Sequence, residues 1–303
     1  MTAKEPPEGR EKEERLGSEI NYYVLAAIFI AIVLFDIANA LEPQVDAELD
    51  IFELMVTLGF AAASIFAFSV AKRYSKSKVF GRAYLSLGIG YAFYFMGDVL
   101  WEVYQVGYQV SNPYPYWPDI GYFGFFPFAI YHLRTNVHFF RRKLGASQKA
   151  LLVILPTGVT LLYLIGLLFP IGMDETVGQP SLELEGESTT TYRFVPYFFN
   201  HIWIDTSQER DQQYWNGVYT GVAFVAASTL TFAFAILGAQ VFRHSILGAP
   251  WGLLLLGISL NWVADIYYYY SDIYYFDRTN PVNGIWLAST MVVCYALYKH
   301  RDL

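Results

Sequence analysis

Charge is scarce in this chain, and its distribution decides the class. Charged residues make up 16% of the 303 positions and hydrophobic ones 55%, against about 25% charged in soluble domains. Cysteine is almost missing. Cys294 stands alone, which excludes an internal disulfide and a multi-cysteine metal site. No long basic stripe occurs, so nucleic acid is not expected as a partner. The sequence has no HExxH, GxSxG or P-loop pattern, so no catalytic constellation and no cofactor or metal is read from it. No lysine lies deep in an apolar run, which excludes a retinal Schiff base. The first 20 residues are charged and polar, with no cleavable signal peptide in view.

What is abundant is long apolar sequence. Eight stretches, near 21–41, 51–71, 83–104, 118–140, 150–172, 215–242, 250–272 and 283–299, approach the ~20 residues that a helix needs to cross a bilayer. Backbone groups cannot stay unpaired in hydrocarbon, and alternating strands are absent, so the stretches are expected to be helices. The expected fold is an all-α polytopic membrane protein with eight transmembrane helices. Seven spans, with 283–299 at the interface, is the alternative.

The basic residues give the orientation. All but Arg193, Arg210 and Arg278 of the 20 Lys and Arg fall on one side of this topology, in clusters such as Lys72, Arg73, Lys76, Lys78 and Arg82. The positive-inside rule then places both termini in the cytoplasm and the protein in the cytoplasmic membrane. Cys294 would lie near that inner side, which argues against a cysteine enzyme facing outward.

The two halves are related. Shifted by 167 positions, Gly90 falls on Gly257, Asp98 on Asp265, Tyr108 on Tyr275, Tyr131 on Tyr298 and Arg134 on Arg301. The expected organisation is a polar cytoplasmic tail, 1–19, followed by two four-helix repeats, 20–145 and 146–303. Four spans per unit keep the orientation, so the repeats are parallel. The outer loop 173–214 is the main asymmetry.

Acids inside a bilayer are costly and face the interior or water. Asp36, Asp98 and Asp265 each lie about 15 residues along their span, roughly 20 Å from its cytoplasmic start. Glu102, one turn after Asp98 on the same face, and Asp119 sit nearer the outer interface. No Lys or Arg lies at this depth. Aromatic residues surround the acids, Trp101, Tyr122 and Tyr268 among them, with Asn261 one turn before Asp265. An aromatic belt at the headgroups explains many of these rings. A pocket of carboxylates, hydroxyls and rings for a cationic or apolar ligand is the sharper reading. Asp36, Asp98, Trp101, Glu102, Asp119, Tyr122, Asn261, Asp265 and Tyr268 are its candidate residues. The histidines His132, His138, His244 and His300 are expected to be solvated at the inner interface. Asp119 has a simpler role, as a cap for the helix it opens.

The segment GDVLWEVYQVGYQVSNPYPYWPDIGYFGFFPF resembles a multi-span sensor-type domain of archaea and bacteria, often set before histidine kinase or diguanylate cyclase modules. Asp98 and Trp101 match its acid–x–x–Trp, and Pro113, Tyr114, Pro115 and Asp119 match the opening of its next helix. Tyr122 and Pro127 follow in register, while Tyr116, Pro118 and Phe126 depart from the pattern. The resemblance implies a membrane sensor or receptor-like protein with an outward-facing acidic and aromatic pocket. No output domain is read after Leu303, so a separate signalling protein is the implied partner besides the bilayer. A proton- or cation-coupled transporter, or a structural subunit of a membrane complex, is the alternative. An enzyme is not expected.

Overall fold

A computed structural model describes residues 20–41, 51–107, 117–141, 143–168, 209–243, 245, 248–272 and 281–302. The tail 1–19, most of the outer loop and positions 113–116 of the motif lie outside the described residues, as does His244. Among the described residues, eight α-helices stand at the eight apolar stretches, with no strand. They are α1 (Tyr22–Leu41), α2 (Ile51–Arg73), α3 (Phe80–Glu102), α4 (Trp117–Phe140), α5 (Ala146–Leu168), α6 (Glu209–Phe242), α7 (Gly248–Asp272) and α8 (Val282–Asp302). A single π-helical turn, Val103–Gly107, continues α3.

Five of the helices, α2, α3, α5, α6 and α7, hold segments long and apolar enough to cross a membrane, and α1 holds a shorter apolar one, Tyr22–Ala38. α4 and α8 are less apolar for a structural reason. They are interior helices that bury polar side chains: His132 and Asn136 on α4, and Ser289, Thr290 and His300 on α8, are all sealed from solvent. The 34 residues of α6 are about 50 Å long, more than a hydrocarbon core requires.

α3 packs between α2 and α4, and α8 packs against α1, α2 and α7. α6 lies against α4, α5 and α7. α8 is therefore a central element rather than a helix lying on the surface. α1 and α5 are peripheral and turn large apolar side chains outward, with Phe29 70% and Ile154 68% exposed. An apolar surface of this extent suits lipid, not water.

Small residues allow the close crossings that helix packing in a membrane relies on. A Cβ on Gly121 would lie 2.5 Å from the Gly97 Cα, so the backbones of α4 and α3 touch there. On the α7–α8 seam, a Cβ on Gly257 would meet Val293 Cγ2 at 2.5 Å, and Ser289 Oγ donates to the Gly257 carbonyl at 2.9 Å.

Candidate functional site

The Gly97–Gly121 crossing fixes the first acid. With no side chain between the two backbones, the next residue on each helix is brought to its neighbour, and the Tyr122 hydroxyl hydrogen-bonds the Asp98 carboxylate. From α2, Thr57 Oγ1 lies 3.2 Å from Asp98 Oδ2. It also lies 3.1 Å from the Glu53 carbonyl, so one proton is shared between two acceptors. Asp98 is partly buried.

The second acid is enclosed. Asp265 is 0% exposed. Its Oδ2 accepts from Ser228 Oγ at 2.6 Å and from Asn261 Nδ2 at 2.9 Å. Its Oδ1 accepts from Trp286 Nε1 at 3.0 Å and, more weakly, from the Tyr94 hydroxyl at 3.4 Å. The donors stand on α6, α7, α8 and α3, and every one is neutral. Four donors match the lone-pair sites of a carboxylate.

Tyr94 joins the two acids. Its ring stacks on Phe60 of α2, with centroids 4.6 Å apart and planes 7° from parallel. It also leans on the ring of Tyr122 at 5.7 Å. Its hydroxyl belongs to the Asp265 cage, although Tyr94 sits one turn before Asp98.

Of the residues expected at the site, the structure brings Asp98 to Tyr122 and Asn261 to Asp265. Tyr268 packs against Trp286, with centroids 5.4 Å apart, and so backs the Asp265 cage. Glu102 lies near enough for its charge to act on Asp98. Trp101 is partly buried on α3. Asp36 is elsewhere: its carboxylate lies against Gly284 of α8, where a Cβ would overlap it. Asp119 is the third residue of α4, in its first turn. Its charge still suits the helix N-terminus. Thr57, Ser228 and Trp286 join the site without standing out in the sequence. Their only signal there is a hydroxyl or indole at a helix position facing an acid, and that facing is a tertiary fact.

A second buried polar cluster lies at the other end of the bundle, in place of the solvated histidines that the sequence suggests. His132 and His300 are 0% exposed. The Tyr84 ring lies 4.7 Å from the His132 ring and 5.5 Å from the His300 ring, and Trp251 lies 5.8 Å from each. The Tyr84 hydroxyl is 2.9 Å from His300 Nδ1, and Asn136 Nδ2 donates to the His132 carbonyl at 2.8 Å. His132 and His300 are buried because they lie on the faces of α4 and α8 that turn toward Tyr84 and Trp251. His138, on the outer face of α4, is exposed as expected.

Among the described residues, no group of three or more His, Cys, Asp and Glu side chains gathers as a metal site. The acid layer presents two carboxylates, hydroxyls and an indole, the chemistry of proton exchange or of holding a cation. Helices of this length and apolar character make the fold that of an α-helical, multi-pass membrane protein. No protein family, characterised protein or solved structure matches the chain.

Proposed function

We propose that this chain is an eight-span membrane sensor or receptor-like protein whose acid–aromatic layer responds to a ligand arriving from outside. It sits in the cytoplasmic membrane with both termini inside and signals through a separate partner. The observation that carries the reading is the Asp265 cage. One carboxylate is the meeting point of four helices, so an event that withdraws one donor biases the packing of all four.

The two-repeat organisation belongs to the same proposal, and the pattern of neighbours supports it. α2–α3 corresponds to α6–α7, α3–α4 to α7–α8, and α2–α8 to α6–α4, and all six pairs are in contact. Tyr84 and Trp251, matched by the same shift of 167, flank the same two histidines. α1 and α5 depart from the pattern, one resting on α8 and the other on α6.

Two experiments test this. In a Cys294→Ser background, single cysteines at 76 and 145 should label only from the cytoplasmic side, and those at 46, 185 and 279 only from outside. Labelling of 185 from inside would overturn the eight-span arrangement. For the function, host cells carrying wild-type protein or Asp98→Asn are compared by transcript profile. A sensor predicts a defined set of genes that changes with the folded variant.

A transporter is the second reading, favoured by the neutral donors that hold the two acids among the described residues and by their link through Tyr94. Proteoliposomes under an imposed proton or sodium gradient decide between them. Flux that Asp98→Asn abolishes would replace the sensor reading.

A further inference from the structure

The last turns of α2 and α8 come side by side, and between them Ser69, Lys72, Arg73 and Arg301 line an open cavity of about 470 Å³. Three of these four residues are cations, and no acid is among them. Cations in a last helical turn suit the helix dipole wherever they point. Here they come from two helices distant in sequence and converge on one concavity. The walls are braced. The Tyr74 hydroxyl, just after α2, donates to the His300 carbonyl at 3.0 Å. Burial pushes that hydroxyl above its ordinary value, against the opposing charge of Arg73, so it stays a donor. The Arg301 guanidinium lies over the Tyr298 ring, 5.2 Å from its centroid.

Directly next to the cavity the surface changes character. Ile65 is 65% exposed and Phe68 37% exposed. They stand one turn before Ser69 and Lys72 on the same helix faces. A basic recess continued by an apolar wall has the shape of a phospholipid, headgroup in the recess and acyl chain along α2. A soluble anion would use the first part only.

We propose that this cavity binds a phosphate-bearing anion, and that its occupant is the headgroup of an anionic phospholipid in the adjoining leaflet. The site rests on the membrane class of the fold and is independent of the acid layer.

The test is thermal stability of the purified protein in detergent, titrated with phosphatidylglycerol, phosphatidylcholine or inorganic phosphate. Phosphatidylglycerol should raise Tm at concentrations where the other two do not. Apparent affinity should fall roughly fivefold for each charge removed, so an Arg73→Gln/Arg301→Gln variant should lose most of the shift. A Lys76→Gln/Lys78→Gln variant, altered between α2 and α3 away from the cavity lining, should keep it. Equal loss in both variants would mean diffuse surface charge and would overturn the site. Inorganic phosphate matching phosphatidylglycerol would overturn the lipid as occupant and assign the recess to a soluble anion. Should the double variant fail to fold, Lys72→Gln is used, with native mass spectrometry of co-purified lipid as readout. Retention equal to wild type then counts against the site. Recovery of the chain from the soluble fraction before any titration would instead refute the membrane class itself.

Discussion

Asp98 and Asp265 hold matching positions on α3 and α7, yet one is partly open with two donors and the other is sealed with four. The residue one turn earlier explains much of the difference. Asn261 is short, and its carboxamide folds forward onto its own acid. Tyr94 stands at the same place before Asp98, but its longer side chain carries the hydroxyl across to Asp265. The first acid thus goes without the neighbour that would have enclosed it, and the second gains an extra donor. Equal position on a helix sets equal surroundings only when the neighbours have equal reach. On this comparison Asp265 is held by more partners than Asp98, and the sensor reading proposed above assigns the ligand-responsive role to Asp98.

The largest expected effect is at Asp265. Asp265→Leu strands three buried donors and the half-buried Trp286 indole, with each buried one costing about 1–3 kcal/mol, and should abolish folded yield or lower the detergent melting temperature severely. Asp98→Leu should do less, because Thr57 keeps the Glu53 carbonyl as an acceptor. Equal losses in the two variants would erase the distinction. Gly121→Leu comes next. It forces α3 and α4 apart at a cost of about 1–3 kcal/mol, measurable by thermal unfolding, and should remove the Asp98–Tyr122 hydrogen bond.

Smaller effects sharpen the contrast. Tyr94→Phe removes a long hydrogen bond and should cost about 0.5–1.5 kcal/mol, less than Asn261→Ala, which leaves Asp265 without its intrahelical donor. A reversed order, read from melting curves, would show that the reach of Tyr94 matters more than its 3.4 Å distance suggests. Asp98→Asn should change stability least, since a carboxamide offers both donor and acceptor. It should nonetheless remove the transcriptional response. A fully active Asp98→Asn protein would make Asp98 a structural residue like its counterpart.

Much of the fold is legible in the amino-acid order, because an apolar run of bilayer length leaves the backbone one solution. The eight helices stand where the eight runs are, and α3 and α5 begin only a few residues earlier than the apolar pattern implies. The acids stand out as rare charges in such runs. Their donors do not. Ser228 in AASTLTF looks like any small polar residue until α6 and α7 meet, and Trp286 looks like a belt aromatic. The inner histidines mislead for the same reason. Nearness to a helix end suggests the interface, but exposure depends on which helices are central, and α8 is central despite being the last of the eight. Tyr84 and Trp251 stand 167 positions apart but are not identical, so the alignment of the two halves does not draw attention to them.

The bare contact of Gly97 and Gly121 has a mechanical consequence. Most helix seams carry a cushion of side chains that can re-seat in new rotamers when one helix tilts. At this one crossing there is none, whereas aromatic rings such as Phe93 against Phe128 and Tyr91 against Phe125 fill the same seam further along. A bare backbone contact flanked by interlocked rings leaves α3 and α4 little room to part at that point. The same two helices carry Asp98 and Tyr122 toward one end and Tyr84 and His132 toward the other, so both polar clusters are built on this pair.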